Sequence, residues 1–361
     1  MKKAVISTFN DSLNNYGAVF QSFALGCFLK ELGCEPYNVT IINRGKSKIV
    51  GIKQVDVIKN KIKELIKNLV FLPKIFQLKT RKQKFKSFIS ETQNQIVFKT
   101  EKDLNDDAPQ ADIYISGSDQ VWNAYTFYED FFLGYAPDNS VKISYAASMG
   151  KEGVPEYNEQ RFKKFIARFD AISVREDTMV DILTPYTDKE IIQNVDPVFL
   201  VSKDRWMSLE KPYKNLRYKD YILVYAIAWT AKLNDELKRL KNASGLKVVS
   251  INIGNMKNVC ADQIVFDASP NEFLYLLHHS KMVVTTSFHG TALSIIYNKQ
   301  FSTFVGVKNP SRIASLLRHF DLTNRQNMEL INEDIDYDTV NKQIKTDRKQ
   351  ARNYLSEFIN K

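Results

Sequence analysis

Residues 283–296 read VVTTSFHGTALSII, and the fold can be worked out from this stretch. The β-branched run 283–286 is typical of a buried strand, and ALSII at 292–296 is typical of a buried helix. His289 and Gly290 lie in the turn between them. In an open α/β sheet ligands bind at this edge, where the N–H groups of a helix start favour an anion and a glycine allows close approach. The stretch alone leaves open whether His289 is functional or only caps its helix.

The composition is that of an ordinary globular protein. The chain has 361 residues, enough for two domains, and is 44% hydrophobic and 25% charged. No apolar run is as long as a membrane span, and the N-terminus lacks the apolar core of a signal peptide. The three cysteines, Cys27, Cys34 and Cys260, show no CxxC spacing. We therefore predict a cytoplasmic protein with no metal site.

Short strands alternate with helices along the whole chain. A strand at 3–8, a polar loop, a helix ending at Gly33 and a strand at 38–42 predict the start of a parallel sheet. Further strands, each ending in polar residues, are predicted at 111–116, 141–147, 171–174 and 191–195. A second set is predicted at 220–228, 246–251, 283–286 and 301–307. The predicted fold class is α/β, with two Rossmann-like domains that face a central cleft.

The same pattern predicts the domain boundaries. We place an N-terminal α/β domain at 1–200, interrupted by a basic helical insertion at about 44–100. A C-terminal α/β domain follows at 201–335. The tail at 336–361 is mostly charged with one apolar stripe, which predicts a helix that packs back on the body.

The positive charge is concentrated in one segment. The net charge is +10, from 51 basic and 41 acidic residues. Between Arg44 and Lys86 the basic residues are opposed only by Asp56 and Glu64. A solvated helix face and peripheral contact of residues 44–90 with the inner face of the membrane both fit this pattern. The aromatic residues are not spaced for base stacking, so we predict no nucleic-acid partner.

Six short motifs occur in order, most of them at the ends of predicted strands. They are Asn15-Tyr16-Gly17 with Gln21, Ala24 and Leu25; Gly117-Ser118-Asp119-Gln120-Val121-Trp122; Ser144-Tyr145-Ala146-Ala147-Ser148; Ser173-Val174-Arg175-Glu176; Asp196-Pro197-Val198-Phe199; and Ser287-Phe288-His289-Gly290. Each motif alone is weak, but together they resemble the polysaccharide pyruvyl transferase family. The resemblance runs from about residue 5 to residue 320 and leaves out the basic helices and the tail.

The resemblance implies a fold like that of the two-domain GT-B glycosyltransferases. It also implies a reaction that moves pyruvate from phosphoenolpyruvate onto two hydroxyls of a sugar as a cyclic ketal, releasing phosphate. Phosphoenolpyruvate is then the donor substrate, and no cofactor is expected. The implied acceptor is a saccharide, such as galactose or a related hexose in a lipid-linked or polysaccharide precursor of a bacterial capsule or exopolysaccharide.

The resemblance also implies roles for particular residues. The family's histidine falls on His289, as an acid or base, and the arginine of its S-x-R-E motif falls on Arg175. Many members carry an arginine where this chain has Ser287, so we expect Arg312 to supply that charge. Asp119 either orients the sugar, acts as the base, or only closes a turn. The predicted substrate-binding residues are Asn15, Tyr16, Gly17, Gln21, Ser118, Gln120, Ser287, Gly290 and Arg312.

Structural alternatives exist for several of these residues. Asn15 suits a helix cap, Gln21 suits an exposed first turn, and Arg175 suits a pair with Glu176. The nearest rival function is a GT-B glycosyltransferase that uses a nucleotide-sugar. That function needs an acidic or ribose-binding residue in the second half of the chain, and no residue there stands out for that role.

Overall fold

Two parallel sheets form the framework of the molecule. The structure is a computed structural model that describes residues 1–45, 75–151, 153–253, 260–305, 310–327 and 333–360. The first sheet contains β1 (Lys2–Ser7), β2 (Cys34–Ile41), β3 (Gln95–Phe98), β4 (Ile113–Ser116) and β5 (Val141–Ser144), in the order β3-β2-β1-β4-β5. Bridges from Ile143 to Ala171 and from Ala147 to Val174 join β5 to the parallel pair β6 (Ile172–Val174) and β7 (Ile191–Gln193).

The second sheet repeats the order of the first. It contains β8 (Tyr221–Tyr225), β9 (Lys247–Ile251), β10 (Gln263–Val265), β11 (Met282–Thr285) and β12 (Gln300–Thr303), in the order β10-β9-β8-β11-β12. All the strand pairs are parallel, which confirms the predicted α/β class. The strand order reverses between β1 and β4 in one sheet and between β8 and β11 in the other, because later strands are added on the opposite side of the first strand. Ligands bind at such switch points, at the carboxyl ends of the strands.

Helices cover the sheets. They are α1 (Tyr16–Glu31), α2 (Ile75–Thr92), α3 (Glu101–Asp106), α4 (Glu159–Ile166), α5 (Thr178–Leu183), α6 (Lys203–Met207), α7 (Ala231–Ser244), α8 (Pro270–His279), α9 (Phe288–Ile296), α10 (Pro310–His319) and α11 (Tyr337–Ile359). Within the described residues, no helix is both long enough and apolar enough to cross a membrane.

The sequence interpretation treated the whole of 44–100 as an insertion, but the end of this segment belongs to the first domain. Residues 46–74 lie outside the described part, but α2 and β3 belong to the first domain, and β3 pairs in parallel with β2. Phe85, Phe88 and Ile89 of α2 are buried in the main core. The sequence predicts a lysine-rich amphipathic helix here, but it does not show which part of the protein the apolar face packs against. A βαβ crossover therefore occupies the end of the predicted insertion.

The two domains share one apolar core at the start of α1. Tyr16 is fully buried, stacks on Phe273 of α8 with ring centroids 4.5 Å apart, and donates its hydroxyl to the carbonyl of Ala268 at 2.8 Å. Arg81 of α2 donates to the carbonyl of Asn252 at 2.7 Å and to Oδ1 of Asn14 at 3.0 Å. These contacts fix the ligand edge of the first sheet relative to that of the second.

The C-terminal helix α11 ties the second domain back to the first. Arg348 donates to the carbonyls of Phe199 and Val201 at 2.6 and 2.7 Å. The Tyr354 hydroxyl donates to the carbonyl of Ser144 at 2.8 Å, at the end of β5. Leu355 is fully buried in the main core. The helix therefore holds the carboxyl edge of the first sheet in place.

Replacement of Leu355 by alanine tests this tie. Since the side chain is fully buried, we expect the free energy of unfolding to fall by about 2–5 kcal/mol. Chemical denaturation followed by circular dichroism measures the loss. Lys345→Ala on the exposed face of the same helix is the control and should change stability by less than about 0.5 kcal/mol. Equal stabilities for the two variants would contradict the packing.

Candidate active site

Loops from both domains meet where Gly17 faces His289. Gly17 is in the first turn of α1, and His289 is in the first turn of α9. A Cβ atom on Gly17 would lie only 2.0 Å from Nδ1 of His289, so a larger residue could not occupy this position without displacing the ring. The sequence predicted both residues for the site, and the structure brings them into contact across the domain boundary.

A buried carboxylate, Asp196, is at the centre of the site. Its Oδ2 accepts from Nη1 of Arg175 at 2.8 Å and from Oγ of Ser118 at 3.2 Å. Nε2 of His289 lies 3.4 Å from the same oxygen, within ion-pair distance, but makes no hydrogen bond to any described residue. Oδ1 accepts from the backbone N–H of Val198 at 3.1 Å. One carboxylate therefore joins three residues that the sequence predicted separately.

The charges around Asp196 keep it ionised. Burial alone raises the pKa of its carboxyl group, but the interactions with His289 and Arg175 outweigh burial and hold the pKa well below its usual range. This ionised carboxylate faces the imidazole of His289 on its Nε2 side, so it would attract a protonated ring. In the sequence Asp196 resembles a helix cap before proline, and it does cap the short helix 197–200. Its second role depends on distant partners that the sequence does not show.

The sequence left open whether Arg175 pairs with Glu176 or contacts a ligand. In the structure it pairs with Glu176 and also keeps one N–H group without a partner among the described residues. Its Nε donates to Oε1 of Glu176 at 2.9 Å, and its guanidinium lies 4.1 Å from the centre of the Phe288 ring. Its Nη2 is buried and has no hydrogen-bond partner in the described part of the chain. A buried N–H group of a cation without a partner is costly, so this atom favours a ligand that accepts hydrogen bonds.

Arg312 reaches the same site from α10. With the Gln120 amide oxygen turned toward it, Nη1 of Arg312 donates to that oxygen at 2.9 Å, and Oδ1 of Asp119 lies 4.0 Å from Nη1. Burial lowers the pKa of Arg312, and the charge of Arg175 acts in the same direction. Two guanidinium groups are therefore close together, as expected for a site that binds an anion.

The backbone of Asp119 is strained. Its φ of 69° and ψ of −171° lie in a region that is essentially restricted to glycine. Oδ1 accepts from the N–H of Gln120 at 2.9 Å, so the predicted turn-closing contact is present. Such strain persists only where the surroundings enforce it, and it is concentrated at functional sites. The strain and the position beside Arg312 together mark Asp119 as a candidate site residue.

Ser287 and Gly290 have structural partners within their own turn. Oγ of Ser287 accepts from the N–H of Gly290 at 3.3 Å, so Ser287 caps α9. A Cβ atom on Gly290 would lie 2.3 Å from Oγ1 of Thr285, so this glycine lets α9 pack closely on β11. Contact of either residue with a substrate stays a prediction.

Three other predicted binding residues support the loops around the site. Asn15 is exposed and caps α1 by accepting from the N–H of Ala18 at 3.3 Å. Gln21 is not an exposed first-turn residue, because it is fully buried and donates to Oγ1 of Thr8 and to the carbonyls of Phe9 and Ala18. Tyr16, described above, is buried between the domains. Local spacing placed Tyr16 and Gln21 at the ligand edge but could not show that their side chains point into the protein.

A cavity of about 170 Å³ adjoins Arg175, Asp196 and Arg312. The loop 193–195, Phe288 and further residues of α10 and α11 complete its walls. This volume is below the range of roughly 300–1,000 Å³ that is typical of pockets for drug-sized ligands. The cavity suits a small molecule.

The described residues include one group that could hold a metal ion, formed by Glu210, His278 and His279. The two histidines end α8, just before β11 begins. They therefore lie at the amino edge of the second sheet, opposite His289. No predicted site residue belongs to this group.

Two Rossmann-like domains with a site at their facing edges define the GT-B class of fold, and solved structures agree. The UDP-GlcNAc 2-epimerase of Methanocaldococcus jannaschii has a TM-score of 0.51 at 9% identity, covering 96% of this chain and 92% of its own. The putative UDP-N-acetylglucosamine 2-epimerase of Listeria monocytogenes has a TM-score of 0.51 at 11% identity, covering 99% and 91%. At these identities the likeness shows the fold alone.

The family follows from the sequence model that the chain matches. The model of the polysaccharide pyruvyl transferases covers residues 15–306, so the chain belongs to this family of transferases. The resemblance predicted from the six motifs is confirmed. A search of the curated proteins found no match.

Asp119→Gly tests the strain at this position, with Asp119→Ala as the matched control. Both variants lose the carboxylate, but only glycine adopts the observed φ and ψ without strain. We expect the glycine variant to be more stable than the alanine variant by about 1 kcal/mol, because relief of strain exceeds the entropy cost of glycine. Chemical denaturation measures the difference. A glycine variant that is no more stable than the alanine variant would show that the backbone is unstrained.

Proposed function

We propose that the protein transfers pyruvate from phosphoenolpyruvate onto two hydroxyls of a saccharide as a cyclic ketal and releases phosphate. Family membership supports a pyruvyl transferase, and the observation that carries the proposal is the cluster around Asp196. This cluster joins His289 to Arg175, and Arg312 lines the adjoining cavity, which supports proton transfer to an anionic donor. The solved structures support the fold and add nothing about the substrate.

The reaction requires proton transfer and anion binding. Two sugar hydroxyls each lose a proton and bond to C2 of the donor, while the bond from C2 to the phosphate oxygen breaks. One proton ends on the methylene carbon, which becomes a methyl group, and the other leaves with the phosphate. The attacked carbon has oxocarbenium character after protonation. The donor carries a phosphate and a carboxylate, and guanidinium groups bind both with strong hydrogen bonds.

The side chains of the site divide these tasks. His289 moves the proton, and Asp196 is the positioning residue that orients the imidazole through Nε2. Arg175 and Arg312 bind the anionic groups of the donor through the N–H groups that have no partner within the described residues. Asp119, beside Arg312, orients the sugar or accepts the hydroxyl proton.

The direct test is release of phosphate when phosphoenolpyruvate and a galactoside are supplied together. Release that depends on both compounds, with a product heavier by the mass of the pyruvyl group, supports the proposal. Transfer from a nucleotide-sugar with no reaction of phosphoenolpyruvate would instead identify a glycosyltransferase. A panel of hexosides and lipid-linked hexoses then determines the acceptor.

His289→Gln tests the proton transfer. Glutamine keeps a hydrogen-bonding group but cannot transfer a proton at neutral pH, so we expect kcat to fall by about 10²–10⁴-fold while the variant stays folded and binds phosphoenolpyruvate. Steady-state kinetics and calorimetry measure the two effects. Turnover near that of the wild type would assign the proton transfer to another residue, and Asp119 would be the next to replace.

Arg312→Ala tests donor binding more cleanly than a change at Arg175, because Arg175 also neutralises the buried Glu176 and Asp196. Loss of a charge-assisted contact should raise the donor KM by about tenfold or more. Arg318→Ala, on the same helix but paired with exposed Asp177, is the control and should leave the KM unchanged. Equal donor affinity in the two variants would remove Arg312 from the donor site.

We also propose that the basic segment 44–90 binds the membrane where lipid-linked saccharides are built. Most of the segment, 46–74, lies outside the described residues, but Lys79, Lys82 and Lys86 of α2 are exposed beside Phe76. Co-sedimentation with anionic vesicles should fall when these lysines are replaced by glutamate, and it should fall with rising salt. If the wild type does not bind vesicles at low salt, the basic segment is only a solvated face of the protein.

A further inference from the structure

The cavity beside Arg175 lies where the two domains and the C-terminal helix meet. Arg175 and the loop 193–196 form its wall in the first domain. Arg312 and His319 line it from α10, and Asp347 lines it from α11. Arg312, His319 and Asp347 all follow residue 306, where the family match ends, so that match assigns them no role.

The cavity offers free donors, while the carboxylates in its walls already have partners. Asp196 accepts from Arg175, Ser118 and Val198. Asp347 accepts from Nε2 of His319 at 2.9 Å and from Nε2 of Gln343 at 2.9 Å. By contrast, Nη2 of Arg175 and Nε of Arg312 are buried without a partner in the described part of the chain. Buried cationic donors without partners, beside carboxylates that already have partners, favour an anion over a cation or a neutral apolar ligand.

His319 adds a third nitrogen donor to this wall. Because the ionised Asp347 can only accept, it holds the proton of His319 on Nε2. Nδ1 is left without a hydrogen-bond partner among the described residues. The doubly protonated form of this imidazole donates from Nδ1 to an anion while its Nε2 stays paired with Asp347. This pair therefore provides a donor for an anionic ligand.

We propose that this cavity binds a phosphate-type anion, with Arg175, Arg312 and His319 as its ligands and Asp347 as the positioning residue for His319. The volume of about 170 Å³ accommodates a small anion. The identification of this anion as the phosphoryl end of the donor rests on the proposed function. The anion site itself rests only on the free donors. The C-terminal helix then completes the donor site in addition to tying the domains together.

The experiment is calorimetric titration of the full chain with inorganic phosphate. The wild type should bind phosphate, His319→Gln should bind about tenfold more weakly, and Asp347→Asn should fall between them. His278→Gln is the matched control, because His278 pairs with Glu210 at 3.0 Å away from the cavity, and it should bind like the wild type. Thermal unfolding of each variant without phosphate checks that the fold is intact.

The outcomes separate this site from the catalytic proposal. Loss of phosphate affinity in His319→Gln supports the site, even if phosphoenolpyruvate is not turned over. Equal affinity of wild type and His319→Gln, or no binding by the wild type, overturns it even if turnover is normal. In an active enzyme, His319→Gln should raise the donor KM about tenfold with little change in kcat. Asp347→Glu, which keeps the carboxylate, should recover part of the phosphate affinity that Asp347→Asn loses.

Discussion

The burial of one carboxylate, Asp196, organises the site. An ionised group is stable in the interior only when it is paired and hydrogen-bonded, so Arg175, Ser118 and the N–H of Val198 must converge on it. His289 comes from the other domain and lies 3.4 Å from the same carboxylate. Groups of the first domain therefore satisfy the buried charge, and the approach of the second domain brings His289 to the same carboxylate. The domain interface thus sets the distance between the two groups of the proposed chemistry.

The repeated strand order explains why these groups can meet. The strand order of each sheet reverses at an equivalent point. The loops after β4 and β11 begin beside these points, at the carboxyl edges of the sheets. Gly17, at the start of α1, removes the side chain that would otherwise displace the His289 ring. The C-terminal helix then fixes the edge of the first sheet through Arg348 and Tyr354. In the proposed site, the same helix also carries Asp347.

In the proposed reaction, different residues of the cluster transfer the proton and bind the donor. His289, oriented by Asp196, suits proton transfer, whereas the two arginines suit the charge of the donor. The strained backbone at Asp119 indicates that its loop is held in place by its surroundings. The cavity toward α11 extends the arginine side of the cluster. In the proposed site, the histidine and one of the two arginines approach the same oxygen of one carboxylate.

The sequence by itself determined the fold class and the family, because strand periodicity and motif order are local properties, and it pointed to His289, Arg175 and Arg312 as candidate site residues. It could not assign Asp196 its role, since a capping aspartate before proline has the same local pattern whether or not an arginine and a histidine reach it. It placed Tyr16 and Gln21 on the substrate, whereas packing turns both side chains into the interior. It also missed that α2 is a crossover helix, because the pairing of β3 with β2 is a contact between distant segments. Only the tertiary structure decided these points, because each depends on contacts between residues far apart in the chain.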